Sequence, residues 1–343
     1  MIPKNFFQPI RSFMSDEAFY FGSSFEIWLN KSLKLFIMNR RNFIQNSVTA
    51  AALVGFSNIA YSRNSVEPKP SNSAKFKLKY APGFGSFPEL AGKDPVEVIK
   101  FCADQGFRAM FDNGLPGRSI EEQDKIAAEL TRQNMDMGPF VLYADFSKES
   151  MVLKDSAIRE MLIKKVNDGV ELFKRTGVKC ALMVPGRYNE RMAWDYQTAN
   201  VIDIMRELSE IAEKGGLTIV LEPLNKRDHP GLFLTGIPQT YAICRAVNSP
   251  ACKIVDDMYH QQITEGNIIP NIDAAWSEIA AFHIGDNPGR KEPGTGEINY
   301  QNAFKHIFDK GYNGVLCMEH GKSIDGKEGE LALIEAYRKA DNF

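Results

Sequence analysis

Between residues 76 and 343, eight short apolar runs alternate with eight helix-length segments, and no other feature of the chain constrains its fold so strongly. The runs are Phe76–Tyr80, Phe107–Phe111, Met137–Leu142, Lys179–Val184, Leu217–Leu221, Lys253–Asp257, Ile279–Ile284 and Asn313–Met318. The segments between and after them carry helix periodicity: 94–105, 119–134, 155–176, 193–214, 238–247, 267–276, 300–309 and 327–339. Parallel strands need crossover connections of this length, so strict alternation predicts an α/β fold with a parallel sheet. Eight units in this span predict closure into a (β/α)8 TIM barrel. An open doubly wound sheet would want a glycine-rich dinucleotide fingerprint after the first strand, and Ala81-Pro82-Gly83-Phe84-Gly85-Ser86 does not supply it.

The ends of the helices are marked. Ser119 with Glu122 has the spacing of a capping box. Gly215-Gly216 and Gly311 stand where helices must stop.

Arginine and lysine number 41 against 43 acidic residues, for a formal charge of −2. That balance offers no electrostatic drive toward nucleic acid or an anionic membrane. The five cysteines are odd in number and widely spaced, which reads as buried free thiols.

Ahead of the barrel, residues 38–62 read MNRRNFIQNSVTAAALVGFSNIAYS. Paired Arg40 and Arg41, an alanine-rich apolar stretch and a small-x-small site ending at Ser62 resemble a twin-arginine export signal. That predicts a periplasmic or exported protein without a stable membrane anchor, the apolar run being too short to span a bilayer. Without such a signal the location would be cytoplasmic. Residues 1–37 form an aromatic-rich extension of uncertain standing, with Met38 an alternative start, and 63–75 are polar, with Pro and Ser, as in a linker.

The chemistry concentrates in the second half. Four successive strand runs end in an acid or a histidine: Glu222, Asp257, His283 and Glu319. In a barrel these C-terminal strand ends share one mouth. A single acid after a strand is ordinarily a rim charge; four in matching register predict a metal site. Three carboxylates and one imidazole suit Mg²⁺ or Mn²⁺. Asp256 should point the other way from Asp257, unless the register slips by one.

Glu222 and Glu319 would flank a substrate chelated through a carbonyl and its neighbouring hydroxyl. One would remove a proton from the carbon next to the carbonyl while the other donates, through an enediolate. His260 and Arg290 are candidates for contact with substrate oxygens, and Asp228 and His229 are further candidates. Arg290 has a simpler alternative, a surface pair with Glu292, and His306 and His320 read as structural. The Pro293–Tyr300 stretch, PGTGEINY, is not a nucleotide loop; it reads as shaping the barrel mouth.

Leu221–Gly231 (LEPLNKRDHPG), Asp257–Asn267 (DMYHQQITEGN), His283–Tyr300 and Gly311–His320 resemble the second half of hydroxypyruvate isomerase-like proteins. These belong to the xylose isomerase-like barrel superfamily, with ketose 3-epimerases and a group of DNA-repair endonucleases. The resemblance implies a (β/α)8 barrel, a divalent metal on Glu222, Asp257, His283 and Glu319, the two glutamates as acid and base, and His260 and Arg290 at the substrate. The isomerase branch commonly carries Gln where His283 stands, and the epimerases carry His.

The expected function is therefore a metal-dependent isomerase or epimerase of a small hydroxy-carbonyl compound, either a hydroxypyruvate-like acid or a ketose. A lyase or hydrolase of keto-sugars, or a non-catalytic sugar-binding barrel, would use the same residues. DNA repair would want more histidines and a basic stripe. The expected partner is a small sugar or hydroxy-keto acid, not nucleic acid. A homo-oligomer is compatible with the sequence.

Overall fold

The computed structural model describes residues 74–343. The extension, the export signal and nearly all of the linker fall in 1–73 and lie outside the described residues.

Nine strand segments follow in order: β1 Lys79–Ala81, β2 Ala109–Met110, β3 Asp136–Met137, β4 Phe140–Tyr143, β5 Cys180–Met183, β6 Thr218–Leu221, β7 Cys252–Asp257, β8 Ile279–Ile284 and β9 Val315–Met318. The single third strand expected from the apolar run is two pieces. Pro139 has no N–H for a ladder, so Gly138-Pro139 divides β3 from β4.

Seven strands form one sheet in the order β1-β9-β8-β7-β6-β5-β4, and β2 pairs with β3. Every pairing between these strands is parallel. The remaining arc is also bonded. Gly138 N donates to Met110 O at 2.8 Å, Phe111 N donates to Pro82 O at 3.1 Å, and Gly83 bridges to Phe111. With β4 continuing β3, each strand has two neighbours and the ring closes, as a barrel requires and an open sheet does not.

The helices are α1 Pro95–Asp104, α2 Ile120–Gln133, α3 Ser156–Thr176, α4 Trp194–Gly215, α5 Ile237–Val247, α6 Met258–Thr264, α7 Ile268–Ala275, α8 Tyr300–Asp309 and α9 Gly326–Ala340. Local chemistry sets their ends. Asp94 and Asp155 accept backbone N–H groups at the starts of α1 and α3, and the Ser119–Glu122 box caps α2. Gly216 ends α4 in the left-handed region, φ 77°. Helix α6 was not expected from the sequence. It starts directly from β7 because the Asp257 carboxylate caps it, accepting from Tyr259 N at 2.9 Å.

Two apolar layers hold the barrel. The larger lies between strands and helices. The smaller includes Val220, Val255 and Ala281 in one cluster and Ala81, Val315 and Cys317 in another. Strand alternation places Val220 with Glu222, Val255 with Asp257, Ala281 with His283, and Val315 and Cys317 with Glu319 on one face. Slipping any of these strands by one residue would turn its functional side chain toward the helices, and fully burying a Val or Leu stabilises its register by about 1.5–3 kcal/mol.

Candidate metal and substrate site

The four predicted ligands meet. One ligand atom from each of Glu222, Asp257, His283 and Glu319 can be chosen so that all lie within 4.8 Å of one another. Each stands within one residue of the end of β6, β7, β8 or β9. His283 Nδ1 lies 2.9 Å from Glu319 Oε2 and 3.2 Å from Glu222 Oε1, so both glutamates meet one ring nitrogen. Asp256 points away from this group, as alternation requires; its carboxyl is fully buried and neither oxygen has a hydrogen-bond partner.

Arg290 is drawn in rather than paired with Glu292. Its Nη2 donates to Asp257 Oδ2 at 2.7 Å and Glu319 Oε2 at 2.8 Å, its Nε to Glu319 O at 2.9 Å, and its guanidinium lies over the Tyr259 ring, 4.8 Å from the centroid. Arg290 Nη1 is 3.1 Å from His260 Nε2. His260 is buried, and burial lowers its pKa to about 4, so it is neutral at physiological pH; its Nδ1 accepts from Asn225 N at 3.4 Å and lies 2.6 Å from Asn225 Nδ2. Glu292 instead accepts from Ser323 N at 2.9 Å.

Asp228 and His229 stand at the rim. Asp228 Oδ2 accepts from Tyr259 Oη at 2.8 Å and Asn225 Nδ2 at 3.0 Å. The His229 ring lies 5.4 Å from that of His260 and 5.2 Å from that of Phe146. His306 Nε2 lies 2.9 Å from Asp273 Oδ1, and His320 Nε2 lies 2.8 Å from Tyr337 Oη.

Residues not singled out from the sequence complete the site. Asn113 Nδ2 donates to Glu319 Oε1 at 2.7 Å. Asn113 follows the second apolar run, so the strand-end rule applied to the first half would have found it. Asp286 organises the loop that carries Arg290. Its oxygens accept from the backbone N–H of Asn287, Gly294, Gly296 and Ile298 at 2.8–3.1 Å. A Cβ at Gly296 would collide with Asn287 O, which accounts for a glycine in PGTGEINY.

Charge in the cluster is divided unevenly. Burial, reinforced by the Glu319 charge, raises Glu222 to about 7. Burial acts the same way on Glu319, but His283, Arg290 and Asn113 outweigh it and hold this carboxyl far below the ordinary range. Burial opposes charging His283, yet the neighbouring carboxyls, Glu319 first, keep its pKa well above the usual value. The raised proton affinities of Glu222 and His283 offset part of the negative charge gathered there. A divalent cation fits in place of those protons, because the donor set is hard to borderline and the ligand atoms are close enough to share one ion.

A closed ring of parallel strands with acids and an imidazole converging at its C-terminal mouth defines a (β/α)8 barrel with a candidate metal centre. The chain belongs to the xylose isomerase-like TIM barrel family, whose model matches residues 99–340. It is 35% identical over 140 residues to hydroxypyruvate isomerase of Escherichia coli strain K12, covering 41% of this chain and 54% of that protein. It is 33% identical over 139 residues to 2-oxo-tetronate isomerase of Cupriavidus necator, covering 40% and 53%. The matches thus span about half the length of these relatives. The fold superposes on 3-keto-D-glucoside 4-epimerase of E. coli with a TM-score of 0.64 at 17% identity, covering 78% of this chain and 100% of that one.

Proposed function

We propose that the protein is a divalent-metal-dependent isomerase or epimerase of a small hydroxy-carbonyl compound, a hydroxy-keto acid or a ketose. The observation that carries this reading is the meeting of Glu222 and Glu319 at His283 Nδ1, with their proton affinities pushed in opposite directions. The names of the two relatives, both isomerases, support the reaction class.

Glu319, held ionised, accepts the proton from the carbon beside the carbonyl, and the electron pair moves onto the carbonyl oxygen to give an enediolate. Glu222, once it has taken a proton from solvent, returns it to the neighbouring carbon in an isomerisation, as the hydroxyl proton passes to the former carbonyl oxygen, or to the opposite face in an epimerisation. Arg290 and neutral His260 present an N–H and a ring to the substrate oxygens. Glu222, Asp257, His283 and Glu319 would hold Mg²⁺ or Mn²⁺, which would supply positive charge against the oxyanion.

The protein's own export, proposed from residues 38–62, is tested by cell fractionation. A lyase or hydrolase acting on keto-sugars would begin with the same proton abstraction. The deciding experiment incubates a panel of ketoses and hydroxy-keto acids with the Mn²⁺-loaded protein in deuterated water, with product analysis. Label at the carbon next to the carbonyl in a rearranged product is expected; cleavage products would favour the lyase or hydrolase. Turnover unchanged in Glu319→Gln would overturn the acid–base assignment, and binding without exchange would leave a sugar-binding barrel.

A further inference from the structure

Asn225 lies fully buried in the segment after β6 and reaches His260 on α6. Its side-chain amide has a settled orientation. Oδ1 accepts from Arg227 N at 3.0 Å and Asp228 N at 2.9 Å, and Nδ2 donates to Asp228 Oδ2 at 3.0 Å. Turning the amide over would set its NH₂ against two backbone donors and its oxygen against a carboxylate. Nδ2 is therefore a donor, and its other neighbour is His260 Nδ1 at 2.6 Å. The backbone N of Asn225 donates to the same ring nitrogen at 3.4 Å.

These contacts decide where the imidazole keeps its proton. A proton on Nδ1 would meet two donors at close range, so Nδ1 accepts and the proton sits on Nε2. Nε2–H then faces a donor of its own. Arg290 Nη1 lies 3.1 Å away, and a guanidinium cannot accept. Asp257 Oδ2, at 3.6 Å from Nε2, is beyond hydrogen-bond reach. Arg290 is tied down on its other side, through Nη2 to Asp257 and Glu319 and through Nε to the Glu319 carbonyl. Two N–H groups thus stand against one another at the mouth. An oxygen seated against both would turn that repulsion into two hydrogen bonds.

We propose that Asn225 is a positioning residue: it holds His260 as the Nε2–H tautomer, so that His260 and Arg290 aim two donors at one acceptor oxygen of the substrate. A carbonyl or carboxylate oxygen fits there, whereas a hydroxyl offering its proton would meet only donors on these two side chains. The substrate oxygen rests on the isomerase reading above; the tautomer does not.

The test is spectroscopic first. Long-range ¹H–¹⁵N spectra of metal-free protein labelled on its histidine rings tell a protonated ring nitrogen from a bare one, and His260→Gln identifies the signal. The parent is expected to show a bare Nδ1 and a protonated Nε2 at neutral pH; a proton on Nδ1 would overturn the proposal, whether or not any variant folds. Asn225→Asp keeps an acceptor for Arg227 N and Asp228 N and replaces the donor by an oxygen, with thermal melts to confirm folding. His260 Nδ1 should then gain a proton, and a ring that keeps the parental pattern would strip Asn225 of its role. Where Nε2 becomes bare, kcat/KM on the substrate found by deuterium exchange should fall about 10–100-fold. An unchanged kcat/KM with Nε2 bare would overturn the paired donors. A parent that turns over nothing in the panel would defeat the isomerase reading, and the spectra would still decide the tautomer.

Discussion

Asn113 Nδ2 donates to Glu319 Oε1 at 2.7 Å, joining the segment after the second strand to the end of the last one across the arc where the ring closes. The amide fixes the outer oxygen of a carboxylate whose other oxygen faces His283 and Arg290.

Removing that donor should therefore cost turnover more than folding. A hydrogen bond to a charged group contributes roughly 1.5–3 kcal/mol, so Asn113→Ala should lower kcat/KM by about 10–100-fold with little change in melting temperature. Steady-state kinetics on the substrate found by deuterium exchange makes the check, and an unchanged kcat/KM would remove Asn113 from the site.

Cation binding should release protons. Glu222 and His283 both hold protons near neutrality, and Nδ1 and the carboxylate must give them up to ligate. Mn²⁺ affinity should rise with pH between about 6 and 8, and calorimetry in buffers of different ionisation enthalpy should show release of about one to two protons. Affinity flat across that range would contradict the proton-holding cluster. Removing the metal with a chelator should abolish turnover, and Mn²⁺ or Mg²⁺ should restore it.

Asp286 should matter to the site without touching substrate. Four backbone N–H groups converge on its carboxylate, and the loop they shape delivers Arg290. Asp286→Ala leaves those donors unpaired and should destabilise the protein by roughly 2–4 kcal/mol in urea titrations. Asp286→Asn, nearer in shape, should raise KM with a smaller loss of stability. Wild-type stability in the alanine variant would show that the loop is held by other contacts.

Asp256 supplies a pH test of stability. Burial, with Asp257 and Glu265 nearby, raises its pKa well above the ordinary value. An acid whose folded pKa is raised contributes fully below its unfolded pKa, about 3.9, and that contribution is lost as pH rises to the folded value, by about 1.4 kcal/mol per unit. With chelator present, Asp256→Asn should thus be more stable than the parent at pH 8, the gap shrinking toward pH 4. Urea midpoints that differ equally at both pH values would refute it.

Much of the site could be read in advance because barrels translate strand order into position. Glu222, Asp257, His283 and Glu319 stand at or beside the ends of four consecutive apolar runs, and alternation alone set Asp256 apart from Asp257. Asn113 escaped notice because the first half of the chain carries shorter, interrupted strands. Helix α6 escaped because its cap, Asp257, is also a strand end and a candidate ligand. The place of Arg290 could not be read either. Its guanidinium reaches Asp257 and Glu319 only because Asp286 folds the intervening loop back over the mouth.

Local patterns along the chain thus determined the elements, their parallel order and the faces they present, since these depend on neighbours two to four residues apart. Tertiary structure alone decided which nitrogen of His283 meets the carboxyls and where Arg290 points. Those outcomes depend on ångström-scale approach between residues distant in sequence. Burial then makes their charges interact strongly enough to separate the proton affinities of two chemically identical glutamates.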